Sequence, residues 1–222
     1  MTTLLLWQLP PLGFDGGPIW QSVGQLGSLA PARPAGVDVN ADDDLQLMKR
    51  IAGGDARAYR ELVERHVRGV HSFVYRMLDN RAEAEEVCQE SFLRLWKQST
   101  TFVPRAKPST WLYRIAHNLA IDQLRRRRRD AVQGIDELPS SGRPSLLLHE
   151  KQVAESVQRA LDELPERQRA AISLVHYQGM SNAEAAEVLG VKLRALESLL
   201  ARGRRLLRER LAAYQSHEGS EE

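Results

Sequence analysis

The chain has 222 residues, 42% hydrophobic and 27% charged, which suits a soluble globular protein with one sizeable core or two small ones and excludes a fibre or a membrane protein. The formal charge is only +2, yet the arginines cluster, and that uneven distribution points to a polyanionic partner. Cys88 is the single cysteine, which excludes an intramolecular disulfide and a cysteine-rich zinc site and favours a reducing compartment, the cytoplasm.

Leu4 to Trp7 form a short apolar run, but no Lys or Arg precedes Arg33 and Pro10-Pro11 breaks it, so it does not read as an export signal. Residues 1–41 are rich in Gly, Pro and Ser without a helical period and read as a disordered N-terminal extension. Asp42 to Asp44 can cap a short helix carrying Leu45, Leu47, Met48 and Ile51, which Gly53-Gly54 ends. Asp55 can cap a second helix, where Tyr59, Leu62, Val63, His66, Val67, Val70, Phe73, Val74 and Met77 recur at steps of three and four as a core stripe. A third begins near Asp79-Asn80 and holds Ala84, Val87, Cys88, Phe92, Leu95 and Trp96 inward, with Glu83, Glu85, Glu86, Gln89 and Glu90 left as an acidic outer surface. After Pro104 and Pro108, Ser109 or Thr110 can cap a helix running from Trp111 into the five arginines Arg125 to Arg129.

Between 130 and 149 the period weakens among Gly134, Pro139, Gly142 and Pro144, the composition of a linker. Beyond it, Val153, Val157, Ala160, Leu161 and Leu164 form one apolar stripe, and Pro165 suits the first turn of a further helix that stops at Gly179. Ser181 to Glu184 reads as a capping box before a short helix ending at Leu189-Gly190, and a long helix follows from about Lys192 to Ala213. The expected fold is all-α, two small helical domains at 42–129 and 150–213 joined by a flexible linker, with an acidic tail at 214–222.

Two stretches carry nucleic-acid chemistry. A short capped helix, a tight turn and a longer Arg-rich helix is the layout of a helix-turn-helix, whose second helix enters the major groove. There Leu193, Leu196, Leu200, Gly203 and Leu207 are expected to face inward, leaving Lys192, Arg194, Glu197, Ser198, Arg202 and Arg205 outside; cations on that side suit phosphate contacts, and Glu197 can accept from cytosine N4. The second stretch puts Trp111, Tyr113, Arg114, His117, Asn118, Asp122, Gln123, Arg125 and Arg126 on one helix; aromatic platforms beside cations suit unpaired bases, each stack contributing roughly 1–3 kcal/mol.

Taken together, D-x-x-L at Asp42 to Leu45, RIAGGDARAY at Arg50 to Tyr59, AEEVCQESFLRLW at Ala84 to Trp96, STWLYRIAHNLAIDQLRR at Ser109 to Arg126, LDELPERQR at Leu161 to Arg169 and the Gly179 to Arg205 helix-turn-helix resemble domains 2 and 4 of the extracytoplasmic-function group of the sigma-70 family. The resemblance implies a transcription initiation factor that directs core RNA polymerase, through its β′ and β subunits, to promoter DNA, in stress responses among others, with an anti-sigma protein as a further partner. It places Glu85, Glu86, Gln89, Glu90, Leu93 and Trp96 on the β′ coiled coil. It places Trp111, Tyr113, Arg114, Asn118, Asp122, Arg125 and Arg126 at the minus-ten element, and Lys192, Arg194, Glu197, Ser198, Arg202 and Arg205 at the minus-35 element. Many relatives have Ser or Pro at the Lys192 position, Gly at Arg194, a basic residue at Glu197, Arg at Leu199 and Asp at Glu86, so the promoter sequence that this chain reads is its own.

No catalytic constellation competes with that reading. His66, His71, His117, His149, His176 and His217 are dispersed without an HExxH or Cys/His spacing, and neither Gly16-Gly17 nor Gly53-Gly54 is followed by the Lys-Ser/Thr of a phosphate loop. His66 and His71 read as core-edge residues and Cys88 as packing. The expectation is a chain with no catalytic residues, metal or cofactor and no stable membrane insertion; the competing reading is a helix-turn-helix regulator that binds duplex without polymerase.

Overall fold

The computed structural model describes residues 41–103, 106–132 and 158–218; the expected N-terminal extension up to 40 and most of the expected linker lie outside these. Helix α1, Ala41–Ala52, buries Leu47, Met48 and Ile51 and ends at Gly54, whose φ of 87° only glycine adopts without strain. The three aspartates lie inside its first turn, where the helix dipole favours negative charge. Asp44 is buried, and its carboxylate takes His66 Nε2 at 2.6 Å and Arg65 Nη1 at 3.1 Å.

Helix α2, Ala56–Leu78, starts where Asp55 accepts from the Arg57 and Ala58 amides and ends at Asp79 in the left-handed conformation, φ 46°. Helix α3, Arg81–Gln98, follows at once because the Asn80 side chain accepts from the Glu83 amide. A single 3-10 turn, Ser99–Thr101, closes it. Helix α4, Pro108–Val132, opens earlier than Ser109 or Thr110 would set it: Pro108 has no N–H to leave unsatisfied in a first turn and a φ already suited to helix. Helices α2, α3 and α4 pack on one another around Phe73, Met77, Phe92, Leu95 and Leu112, with Cys88 wholly buried among them. Burial pushes the Cys88 thiol up to about 12, so it stays protonated and inert.

Residues 158–162 are helical, and Ala160, Leu161 and Leu164 are buried. Helix α5, Glu166–Ile172, has Pro165 one position further out than expected, as its N-cap, and continues into a wide π turn, Ser173–Tyr177, closed by the Gln178 amide on the Ser173 carbonyl at 3.0 Å. Helix α6, Asn182–Leu189, carries the capping box in full: Ser181 accepts from the Glu184 amide, and Glu184 from the Ser181 amide at 2.8 Å. Gly190, φ 63°, turns the chain into α7, Leu193–Glu218, which runs past Ala213. Leu196, Leu200 and Gly203 of α7 are buried; a Cβ at 203 would stand 3.1 Å from Ile172 Cγ1, so only glycine lets α7 lie this close to α5. Among the described residues there is no strand, and no helix long and apolar enough to cross a membrane.

Candidate nucleic-acid interface

The exposed faces of three helices concern function. On α3, Glu85 is held by Arg81 at 3.0 Å and Glu90 by Arg94 at 2.8 Å, pairs one turn apart that fix the carboxylates without removing them from water. Glu86 and Gln89 are fully outside, and Leu93 is half-buried between them and the core. Trp96 meets the Tyr59 ring edge-on at 5.0 Å, which fixes the indole at the end of this acidic strip.

On α4, Arg114, Asn118, Asp122, Arg125 and Arg126 are all exposed, and their spacing of three and four lays them along one side of the helix. Asp122 and Arg125 face each other at 3.7 Å. The aromatic residues of the same helix are turned elsewhere. Trp111 lies half-buried on the Phe102 ring, 5.1 Å between centroids, and Tyr113 is buried against Phe73 at 5.6 Å. The arginine run is likewise divided: Arg127 bends back, its Nε donating to Glu83 at 2.9 Å and its Nη1 to the Leu78 carbonyl at 2.8 Å, while Arg125, Arg126 and Arg129 stay in solvent.

Lys192, just before α7, and Arg194, Glu197, Ser198, Arg202 and Arg205 on it are exposed, whereas Leu196, Leu200 and Gly203 are buried. The Ser198 hydroxyl donates to the Arg194 carbonyl at 3.0 Å, and Arg205 has Glu209 at 3.8 Å. Leu193 departs from the expected pattern: at the first position of the helix no earlier turn lies beneath its side chain, and it is 48% exposed. Arg204 donates to His176 Nε2 at 3.2 Å; burial and then the Arg204 charge hold the imidazole below its ordinary pKa, in the neutral form that can accept.

The two halves of the chain meet. Helix α4 packs on α6, and α2 on α5 and the wide turn. Tyr113 donates to Gln178 Oε1 at 2.8 Å, Lys107 pairs with Glu184 at 2.8 Å, and Arg128 with Glu166 at 2.5 Å. Two arginines that the sequence did not single out lie in the seam. Arg76, only 1% exposed, sits 4.0 Å over the Tyr177 ring and donates to the Ser72 carbonyl. Arg169 donates to the Met77 carbonyl at 3.1 Å and to Asp162 at 3.3 Å. Burial, and next the neighbouring Asp79 carboxylate, push Asp162 up to about 7 against the pull of Arg169. Neither arginine stands out in the sequence from those on the surface, because their partners are a carbonyl and a ring from the other half. Among the described residues no group of three or more His, Cys, Asp or Glu is gathered as for a metal ion.

Residues 62–130 match the family model for sigma-70 region 2, and residues 154–207 the model for sigma-70 region 4. The chain is similar to the ECF RNA polymerase sigma factor SigE of Mycolicibacterium smegmatis, 35% identical over 173 residues that cover 74% of this chain and 67% of SigE. It is also similar to the ECF sigma factor SigM of Mycobacterium tuberculosis, 33% identical, covering 77% of this chain and 85% of SigM. Among solved structures, CnrH in complex with the cytosolic domain of CnrY is similar with a TM-score of 0.61 and 26% identity, over 77% of this chain and 97% of that one.

Proposed function

This chain belongs to the extracytoplasmic-function group of sigma-70 RNA polymerase sigma factors, the initiation factors that direct core polymerase to promoters, and we propose that it divides promoter recognition between α4 and α7. Residues 42–129 act as domain 2. In it the Glu85, Glu86, Gln89, Glu90, Leu93 and Trp96 strip docks on β′, and Arg114, Asn118, Asp122, Arg125 and Arg126, with Trp111 and Tyr113 behind them, engage the minus-ten element. Residues 150–213 act as domain 4, with Lys192, Arg194, Glu197, Ser198, Arg202 and Arg205 on the minus-35 duplex. Promoter opening draws on binding free energy, so the chain carries out no chemical step of its own and works in the cytoplasm beside the polymerase.

The observation that carries this reading is the exposed cationic face of α7, set on a capped α6 and a glycine turn and opposed by a wholly apolar buried face. The acidic strip on α3 favours a polymerase-dependent factor over a regulator that binds duplex alone, because self-sufficient duplex binding gives such a strip nothing to do. An anti-sigma protein is a further expected partner, by likeness to CnrH, which is solved with the cytosolic domain of CnrY.

Run-off transcription from genomic fragments with core polymerase tests the proposal, comparing the wild-type chain with Arg202→Ala and Asn118→Ala variants. Specific transcripts that need the wild-type chain and fall in both variants are expected. Tight duplex binding without polymerase, and no transcript with it, would support the regulator instead.

A further inference from the structure

Among the described residues, the large hydrophobic side chains that stand exposed are Val103, at 59%, and Leu193, at 48%. Leu193 opens α7 between the exposed Lys192 and Arg194, with the exposed Glu197 one turn further along. In a helix-turn-helix the N-terminal residues of the second helix are those that reach base edges, and phosphate contacts on either side hold them there. A leucine at that place has no hydrogen bond to offer. The apolar group that a B-DNA major groove presents to it is the thymine C5-methyl.

We propose that Leu193 is a specificity-determining residue that packs on a thymine methyl in the minus-35 duplex. The inference rests on α7 being the minus-35 reader and adds to it a contact that the charged residues cannot make. The flanking charge favours this occupant over a polypeptide: Lys192 and Arg194 stand exposed on either side of Leu193, and Arg202 and Arg205 stand exposed further along α7, an environment that attracts a polyanion and disfavours a purely apolar partner. Leu193 and Glu197 then divide the reading, the leucine taking a methyl and the carboxylate a cytosine amino group. That pairing gives α7 sequence preference at positions where its arginines give only affinity.

The test uses promoter fragments selected from genomic DNA by the wild-type holoenzyme, each minus-35 thymine being replaced in turn by deoxyuridine, which lacks only the methyl. Wild-type holoenzyme is expected to lose about fourfold in affinity at one position, the worth of one buried methyl-sized group. Leu193→Ala is expected to bind the unsubstituted fragment several-fold more weakly and to show no thymine-to-uracil difference at that position, while its melting temperature stays at the wild-type value. A wild-type chain indifferent to every substitution, a selected element without thymine, or a Leu193→Ala variant that keeps the full thymine preference would each overturn the proposal. If the wild-type chain gives no promoter-specific transcription, the reading of α7 has failed and this inference falls with it. If transcription is specific and only the methyl effect is missing, the function stands and the leucine contact alone is wrong.

Discussion

Helices α4 and α7 are both rich in arginine, and both are proposed to meet DNA, yet the structure treats them differently. The functional side chains of α7 stand in solvent, and its buried face is plain hydrocarbon. On α4 the polar residues are outside, but the aromatic ones are committed: Tyr113 to Phe73 and Gln178, Trp111 to Phe102. A helix that meets intact duplex can be ready before DNA arrives, because the duplex is already formed and needs only a complementary face. A helix that holds unpaired bases has a target that does not exist until the promoter opens, and here its apolar surface is kept occupied meanwhile.

The largest expected effect breaks the packing beneath α4. Phe73→Ala removes the ring under Tyr113 and leaves a cavity in the first half, so urea unfolding should show a loss of about 3–5 kcal/mol there, while 158–211 unfolds as before. Next is Arg169→Ala, which frees the Met77 carbonyl and leaves Asp162 beside Asp79 with no cation; removing one partner of a buried pair costs about 3 kcal/mol. The expected readout is a larger radius of gyration in small-angle scattering, with unchanged helix content. Ser181→Ala acts on the second half: the Glu184 amide loses its capping acceptor and the Glu184 carboxylate a hydroxyl donor, and thermal unfolding of that half should shift by about 1 kcal/mol.

A further effect is one of pH. Asp162 titrates near 7 in the folded chain against about 3.9 for an ordinary aspartate, so the folded state binds the extra proton between those values. The resulting stabilisation is complete below pH 4, declines as pH rises to 7 and is flat above it. Asp79→Asn removes the neighbouring charge but not the burial, and should lessen that slope in stability measured across pH 4 to 8.

Much of the fold can be read from local chemistry. Asp55, Asn80, the Ser181 capping box and Gly190 set helix ends through bonds within a few residues, so the sequence is enough to find them. The buried stripe of α2 and the acidic strip of α3 follow from periodicity alone. What eluded the sequence depends on distance. Asp44 reads as a cap but is drawn inward by Arg65 and His66, more than twenty residues on. Arg76 and Arg169 look like surface cations until the other half supplies Tyr177 and Met77. Leu193 follows the apolar spacing of its helix and yet lies outside, because periodicity ignores that a first turn has no turn before it to cover.

The seam between the halves also bears on how tightly the factor holds a promoter. Elements at minus-ten and minus-35 are centred about 25 base pairs apart, on the order of 85 Å at 3.4 Å per base pair, whereas α4 and α6 are in contact here. On the proposed assignment of α4 and α7, a molecule with its halves together therefore occupies one element at a time. Apparent affinity for the whole promoter is then the intrinsic affinity scaled by the open fraction, and each tenfold excess of closed over open molecules weakens it tenfold. Whatever holds the halves apart acts as a positive effector of DNA binding by this chain, and by the same linkage promoter DNA strengthens that effector's grip.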